Sequence, residues 1–114
     1  MHASALGKVL LAFGSAEPLR TLLASGLKPL TPYTITEPHR LLAQLEAARS
    51  DGVAFEFEES VIGNSCVAAP VFDAAGKPLA ALSISGPPIR LRTEQRAPLV
   101  RRAAAEVSRR ISMR

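Results

Sequence analysis

GNSCVAAPVFDAAGKPLAALSISG, residues 63–86, is the stretch that decides the fold. Two runs of small and β-branched residues flank a turn at residues 73–76, which reads DAAG. An Asp at the start of a tight turn can hydrogen-bond its own backbone, and a Gly at the end accepts a positive φ without a Cβ clash. The stretch therefore predicts a β-hairpin.

The loop length decides which residues of the hairpin share a face, because a one-residue slip exchanges the two faces of a strand. A four-residue loop pairs Phe72 with Lys77 and Cys66 with Ser83, whereas a three-residue loop with a Gly bulge pairs Cys66 with Ile84 and mixes polar with apolar side chains. We favour the four-residue loop because it separates the two kinds of residue. One face then carries Cys66, Ala68, Pro70, Ala81, Ser83 and Ser85, and the other carries Val67, Ala69, Val71, Ala80, Leu82 and Ile84.

The face of Ser, Cys and Ala residues has two interpretations. Little side-chain volume stands on it, so it can leave room for a ligand, to which Ser83 and Ser85 would offer hydroxyl groups and Cys66 a polarisable neighbour. Alternatively, these are simply small residues beneath a closely packed helix. The other face is wholly apolar and is expected to form the core.

Length and composition indicate one ordinary domain over residues 1–114. Hydrophobic residues make up 47% of the chain and charged residues 21%, and there is no Trp. A single Cys excludes an internal disulfide and a multi-cysteine zinc site. No apolar run is long enough to span a membrane and the first residues do not resemble a signal peptide, so we expect a cytoplasmic protein with no membrane partner.

The net charge of +4 is concentrated near the end of the chain. Eight of the 14 Lys and Arg residues lie between positions 90 and 114, opposed only by Glu94 and Glu106. Such a segment can contact nucleic acid, but arginines on an exposed helix more often form a solvated surface or face an acidic neighbour. We therefore favour a solvated surface or an interface with an acidic neighbour over contact with nucleic acid.

The other elements are read from periodicity and capping signals. Helices are predicted over residues 2–13, after Ser15, over residues 37–50 and from Thr93 onward, and a strand over residues 53–59. Helical spacing places Leu6, Val9, Leu10 and Phe13 on one stripe of the first helix. Gly7 inside the first helix indicates either close approach by another backbone or a ligand, or simply a small residue for packing. The first-turn amides near residues 3–5 can attract an anion. The predicted fold class is α+β, an antiparallel sheet flanked by helices.

Several separate motifs resemble one family, the effector-binding domain of IclR-type bacterial transcriptional regulators. The matching stretches are HASALGKVLLAF, TITEP, GVAFEFEES and CVAAPVFDAAGKPLAALSISGPPIRLR, in this order along the chain. The resemblance implies a GAF-like sensor domain that binds a small organic acid. It also implies a homodimer or homotetramer that contacts DNA through a separate N-terminal winged helix-turn-helix domain. We expect that domain, and the first strands of the sheet, to be absent from these 114 residues.

The resemblance also implies a set of ligand-binding residues, with no catalytic residue, no metal ligand and no cofactor. Glu56 stands where the family commonly has Asp, and Asn64 where an apolar residue is frequent. Helix amides, the backbone amides of residues 64–66 and the two serine hydroxyls are expected to hold the acid. The implied residues are Ala5, Leu6, Glu56, Asn64, Cys66, Ser83 and Ser85.

Two other classes of function are compatible with the sequence. Cys66 could act as a nucleophile with His2 or His39 as its base, or join a zinc site, although a third orienting group is lacking. The chain could instead be an assembly module without a ligand, since a small sheet with a free edge favours association. We favour the sensor over both.

Overall fold

The computed structural model describes residues 1–113, apart from the side chain of Arg90. Arg114 and the Arg90 side chain, both counted in the basic segment, therefore lie outside the described residues. The elements within the described part are α1 (Ala5–Phe13), α2 (Ala16–Ser25), α3 (Pro38–Asp51), β1 (Ala54–Phe57), β2 (Ser65–Phe72), β3 (Pro78–Gly86), α4 (Pro88–Leu91) and α5 (Thr93–Ser112).

The sheet is antiparallel with the strand order β1-β2-β3, and helices cover both of its faces. α1 and α3 pack against one face, and α5 packs against the other. Strands buried on both sides need apolar residues at successive positions, and every residue of β2 from Ser65 to Val71 is buried. The α+β prediction is confirmed.

The hairpin is present, but its register differs from the prediction. Cys66 pairs with Ser85 rather than Ser83, and Phe72 pairs with Pro78 rather than Lys77. The turn uses five residues, because the Asp73 amide donates to the Lys77 carbonyl at 2.9 Å. An irregularity between Val71 and Phe72 then shifts the pairing by one more residue.

The predicted division into two faces survives this error, because a shift of two residues preserves the alternation of side chains. Val67, Ala69 and Val71 pack with Ala97, Val100 and Ala104 of α5. Cys66 and Ala68 pack with Ala5 and Val9 of α1 and with Leu41 and Leu45 of α3. The apolar face is the α5 side, and the face of small residues is the α1 side.

The first helix begins later than predicted, at Ala5 rather than His2. Ser4 is its N-cap, and the Ser4 hydroxyl accepts a hydrogen bond from the Gly7 amide at 2.9 Å. The buried stripe contains Ala5, Val9 and Ala12, whereas Leu6 and Leu10, which periodicity placed on the stripe, are each about two-fifths exposed. Small residues face the sheet, so α1 lies close to it.

The strand after α3 is also shorter than predicted. β1 ends at Phe57, because Glu58 adopts a φ of 54°, a left-handed conformation that does not continue a strand. Glu59 then turns back toward the core and is buried. This reversal provides the buried carboxylate described below.

Candidate ligand-binding site

The register sets three of the predicted ligand-binding side chains side by side across the sheet. Glu56 of β1 pairs with Cys66 of β2, and Cys66 pairs with Ser85 of β3. Ser83 follows on β3 opposite Ala68, on the same face and near the Cys66 thiol. We name Glu56, Cys66, Ser83 and Ser85 the polar row.

Access to the polar row increases from the centre of the sheet toward β3. Cys66 is 8% exposed and Ala68 is fully buried beneath α1, so the close-packing interpretation describes these two residues. Ser83 is half-buried and Ser85 is exposed on β3, whereas Glu56 on β1, the other outer strand, is only 3% exposed. The row is therefore open to solvent on the β3 side.

The start of α1 lies beside this face of the sheet. Ala5 is buried in the same cluster as Cys66, and Leu6 is 41% exposed. The Gly7 amide is occupied by Ser4, and the Lys8 amide donates to the Ser4 carbonyl at 2.9 Å. The amides of Ala5 and Leu6, at the first two positions of the helix, have no acceptor within it.

Asn64 lies just before β2 and does not offer the backbone donor that was expected of it. Its amide donates to the Val61 carbonyl at 3.3 Å, and its carbonyl accepts from the Glu58 amide at 3.0 Å. Both backbone groups therefore hold the loop between β1 and β2 closed. The Asn64 amide is thus engaged within the loop, and its part in holding an anion stays a prediction.

A buried ion pair beneath the row was missed by sequence reasoning. Lys8 donates from Nζ to Oε1 of Glu59 at 2.7 Å and to the Phe55 carbonyl at 2.9 Å, and both side chains are almost fully buried. The Glu59 amide in turn donates to Oε2 of Glu56 at 2.7 Å. Lys8 shares a helix face with Ala5 and Ala12, and a lysine on an apolar stripe is a signal that a carboxylate must meet it.

These contacts set the electrostatics of the site. Burial raises the pKa of Glu56; the nearby Glu59 charge adds to this, while backbone hydrogen bonds and Lys8 oppose it. Burial also lowers the pKa of Lys8, against the hydrogen bond and charge of Glu59. The polar row thus contains a carboxyl group that is easier to protonate than an exposed one.

The chemistry of Cys66 and His2 does not support nucleophilic catalysis. Burial raises the pKa of the Cys66 thiol, with the hydrogen bond of Ser83 acting in the opposite direction, so the thiolate is disfavoured. The His2 ring donates from Nε2 to the Lys28 carbonyl at 2.9 Å. Within residues 1–113 no three His, Cys, Asp or Glu side chains are grouped so as to hold a metal ion.

Within the described residues, no helix combines the length and the apolar character that a bilayer crossing requires.

Solved structures of bacterial regulators share this fold. The crystal structure of the transcriptional regulator YaiJ matches 98% of this chain and 65% of its own, with 34% identity and a TM-score of 0.88. The inducer-binding domain of a double mutant of PobR from Acinetobacter, in complex with 3-hydroxybenzoic acid, matches 94% of this chain and 64% of its own. That pair is 36% identical, with a TM-score of 0.82.

Sequence comparison also identifies bacterial transcriptional regulators as relatives. The HTH-type transcriptional repressor AllR of Escherichia coli K12 is 41% identical over 113 residues, which cover 95% of this chain and 41% of AllR. The chain thus spans about two-fifths of the length of this relative, whose name is that of a regulator and not of an enzyme. The protein-family model described as the C-terminal domain of the bacterial transcriptional regulator IclR matches residues 1–113. The chain therefore belongs to the IclR C-terminal family of bacterial transcriptional regulators.

Proposed function

We propose that this domain senses a small organic acid, which it binds at the polar row. The observation that carries the proposal is the strand register, which brings Glu56, Cys66 and Ser85 together in one line. The acid's carboxylate accepts hydrogen bonds from the hydroxyls of Ser83 and Ser85. The amides of Ala5 and Leu6, which have no acceptor within α1, supply further donors and a favourable helix dipole.

Glu56 completes the site in its protonated form. Two carboxylates at close range repel each other, and burial has already raised the pKa of Glu56. A bound carboxylate raises that pKa further, so Glu56 takes up a proton and donates a hydrogen bond to the ligand or to its hydroxyl group. Acid binding is then coupled to proton uptake.

One comparison supports this choice of ligand class. The PobR inducer-binding domain, which shares the fold at 36% identity, was solved with 3-hydroxybenzoic acid. We carry over only the class, a small organic acid. Glu56 and Asn64 differ from the residues common in the family, so the polarity of this site differs as well.

The domain acts within a larger regulatory assembly. In our proposal it works in the cytoplasm as a homodimer or homotetramer, and a helix-turn-helix domain outside these residues contacts DNA. Ligand binding at the polar row orders β3 and the start of α1, and this shifts the docking of protomers. Such an effect is a coupling free energy between two sites and needs no chemical step.

The test is calorimetric titration of the chain with 3-hydroxybenzoate and with small keto and hydroxy acids. We expect saturable binding, weakened about tenfold by Ser83→Ala and by Ser85→Ala, since one charge-assisted hydrogen bond contributes about 1.5 kcal/mol. Ser50→Ala, on the exposed side of α3, is the matched control. Unchanged affinity in both serine variants, or no binding by any acid to the folded chain, would overturn the proposal.

A second candidate function is assembly without a ligand. It is favoured by β3, which within the described residues pairs with β2 alone and carries Leu79 and Leu82, 58% and 36% exposed. An outer strand with apolar side chains is a site for association. Light scattering distinguishes the two functions, because an assembly module associates equally well with and without the acid.

A further inference from the structure

A cavity lies on the α5 side of the sheet, away from the polar row. Its volume is about 320 Å³, a size typical of small-molecule pockets. It lies where the end of β1 and the start of β2 meet the beginning of α5. Its walls include Phe57, Ser65, Pro88, Arg92, Thr93 and Glu94.

Ser65 gives this cavity an unused polar group. It pairs with Phe57 and with Gly86 across the sheet, and its side chain is on the α5 face. The residue is 0% exposed, and its hydroxyl oxygen has no hydrogen-bond partner among the described residues, which do not include the Arg90 side chain. Buried hydroxyls almost always have a partner, so this group requires one from outside the described chain.

The start of α5 supplies donors at the same place. This helix is 20 residues long, and no side chain within the described residues caps its first turn. The amides of Gln95 and Arg96 donate to the Arg92 carbonyl, whereas those of Thr93 and Glu94 stand at the first two positions, which have no acceptor within the helix. The positive end of the helix dipole and the Arg92 guanidinium therefore favour an anion here.

We propose that this cavity binds a small organic monoanion of the carboxylate class. Its carboxylate accepts from the Ser65 hydroxyl, from the amides of Thr93 and Glu94 and from Arg92, and its apolar part rests on Phe57. Glu94 selects against phosphate, because its own carboxylate repels a dianion more strongly than a monoanion. The site is independent of the polar row, since the sheet separates them.

The experiment is a titration of the ¹⁵N-labelled chain with benzoate, with benzamide and inorganic phosphate as matched probes. We expect the amides of Ser65, Thr93 and Glu94 to shift saturably with benzoate and much less with the other two. Arg92→Gln, a change at an exposed residue, should weaken this response about tenfold by removing a charge-assisted hydrogen bond. Ser65→Ala should weaken it as well, and Glu94→Gln should strengthen it.

The positions of the shifts separate this site from the polar row. Shifts at Cys66 and Ser83 alone would overturn the α5 cavity as a binding site and support binding at the polar row. Shifts at the start of α5 alone would support the cavity and count against the polar row. Equal responses to phosphate and benzoate, or an Arg92→Gln variant that binds as the parent does, would also overturn the inference. Ser83→Ala serves as the control that should leave the α5 response unchanged.

Discussion

Lys8 shows how one charged residue can organise the interior of a small domain. It is 1% exposed, and its ammonium group has two acceptors, the Glu59 carboxylate and the Phe55 carbonyl. A buried charge is tolerated only when it is paired and hydrogen-bonded, and here both conditions are met. The pair ties α1 to the loop that follows β1.

Replacing Lys8 should therefore destabilise the domain strongly. Lys8→Met leaves the Glu59 carboxylate buried without its cation, a loss of about 3–5 kcal/mol in the free energy of unfolding. The double variant Lys8→Met, Glu59→Gln should recover most of that loss, because a neutral amide keeps an acceptor for the Phe57 amide. Urea unfolding measures both values, with the exposed Lys28→Met as control. Equal losses in the single and double variants would contradict this account.

Glu56 should give the domain a characteristic pH dependence. Its pKa is raised in the folded state, so its contribution to stability is fully present below its ordinary value of 4.5 and is lost as pH rises through the folded pKa. Glu56→Gln removes this loss, because an amide does not ionise. The variant's melting temperature relative to the parent should thus be lowest near pH 4 and rise toward pH 7. Glu46→Gln, on the exposed side of α3, controls for the loss of one charge, and a difference that stays constant with pH would contradict the prediction.

At the scale of elements, α1 is the helix that joins the parts of the fold. It packs against all three strands and against α2 and α3. Its contact face consists largely of small residues, and Gly7 lies directly against the backbone of Met1, where a Cβ would overlap the Met1 carbonyl. The prediction that Gly7 marks close approach by another backbone is confirmed. Because Gly7 has no side chain, the segment before α1 can pack directly against the helix.

Gly7→Ala should separate that segment from α1. The added methyl group meets backbone atoms, which move only together, so we expect a loss of about 1–3 kcal/mol despite the better helix propensity of Ala. Thermal unfolding of Gly7→Ala beside Ser50→Ala measures the effect. A Gly7→Ala variant more stable than the parent would show that residues 1–3 can move away from α1 without loss of stability.

At the scale of the whole molecule, the sheet is the middle of three layers. Its two faces are covered, but the open side of β3 exposes backbone and Leu79. Exposed outer strands favour pairing with other chains, and a charged residue on such a strand opposes it. The same strand carries the exposed end of the polar row, so in our proposal association and ligand entry share one side of the domain.

Leu79→Lys should lower self-association without unfolding the domain. Leu79 is 58% exposed, so little core packing is lost and the melting temperature of the dilute chain should change little. Light scattering over a range of concentrations should show a smaller average mass than for the parent. Ala74→Lys, which adds the same charge in the hairpin turn, is the control. Equal masses for the two variants would rule out association through β3.

One error of sequence reasoning arose within the hairpin itself, and another arose from packing between distant parts of the chain. The register of the hairpin was missed because Asp73 closes a five-residue turn and the strands become irregular at Val71, and neither feature follows from alternation. The buried stripe of α1 was misplaced because the sheet selected small side chains over Leu6 and Leu10 for close packing. That these residues bind a ligand remains a prediction, whereas the strand register shows that Glu56, Cys66 and Ser85 lie side by side.

The sequence by itself determined the local outcomes: the hairpin, the division of its strands into a small face and an apolar face, and the family. These depend on turn chemistry and on the period-two alternation of strands, which act over a few residues. Only the tertiary structure decided that Glu59 turns inward to Lys8, and that Ser65 and the start of α5 share a cavity. Those pairings join residues more than 25 positions apart, and they exist because burial leaves a charged or polar group only the partners that the packed chain brings within reach.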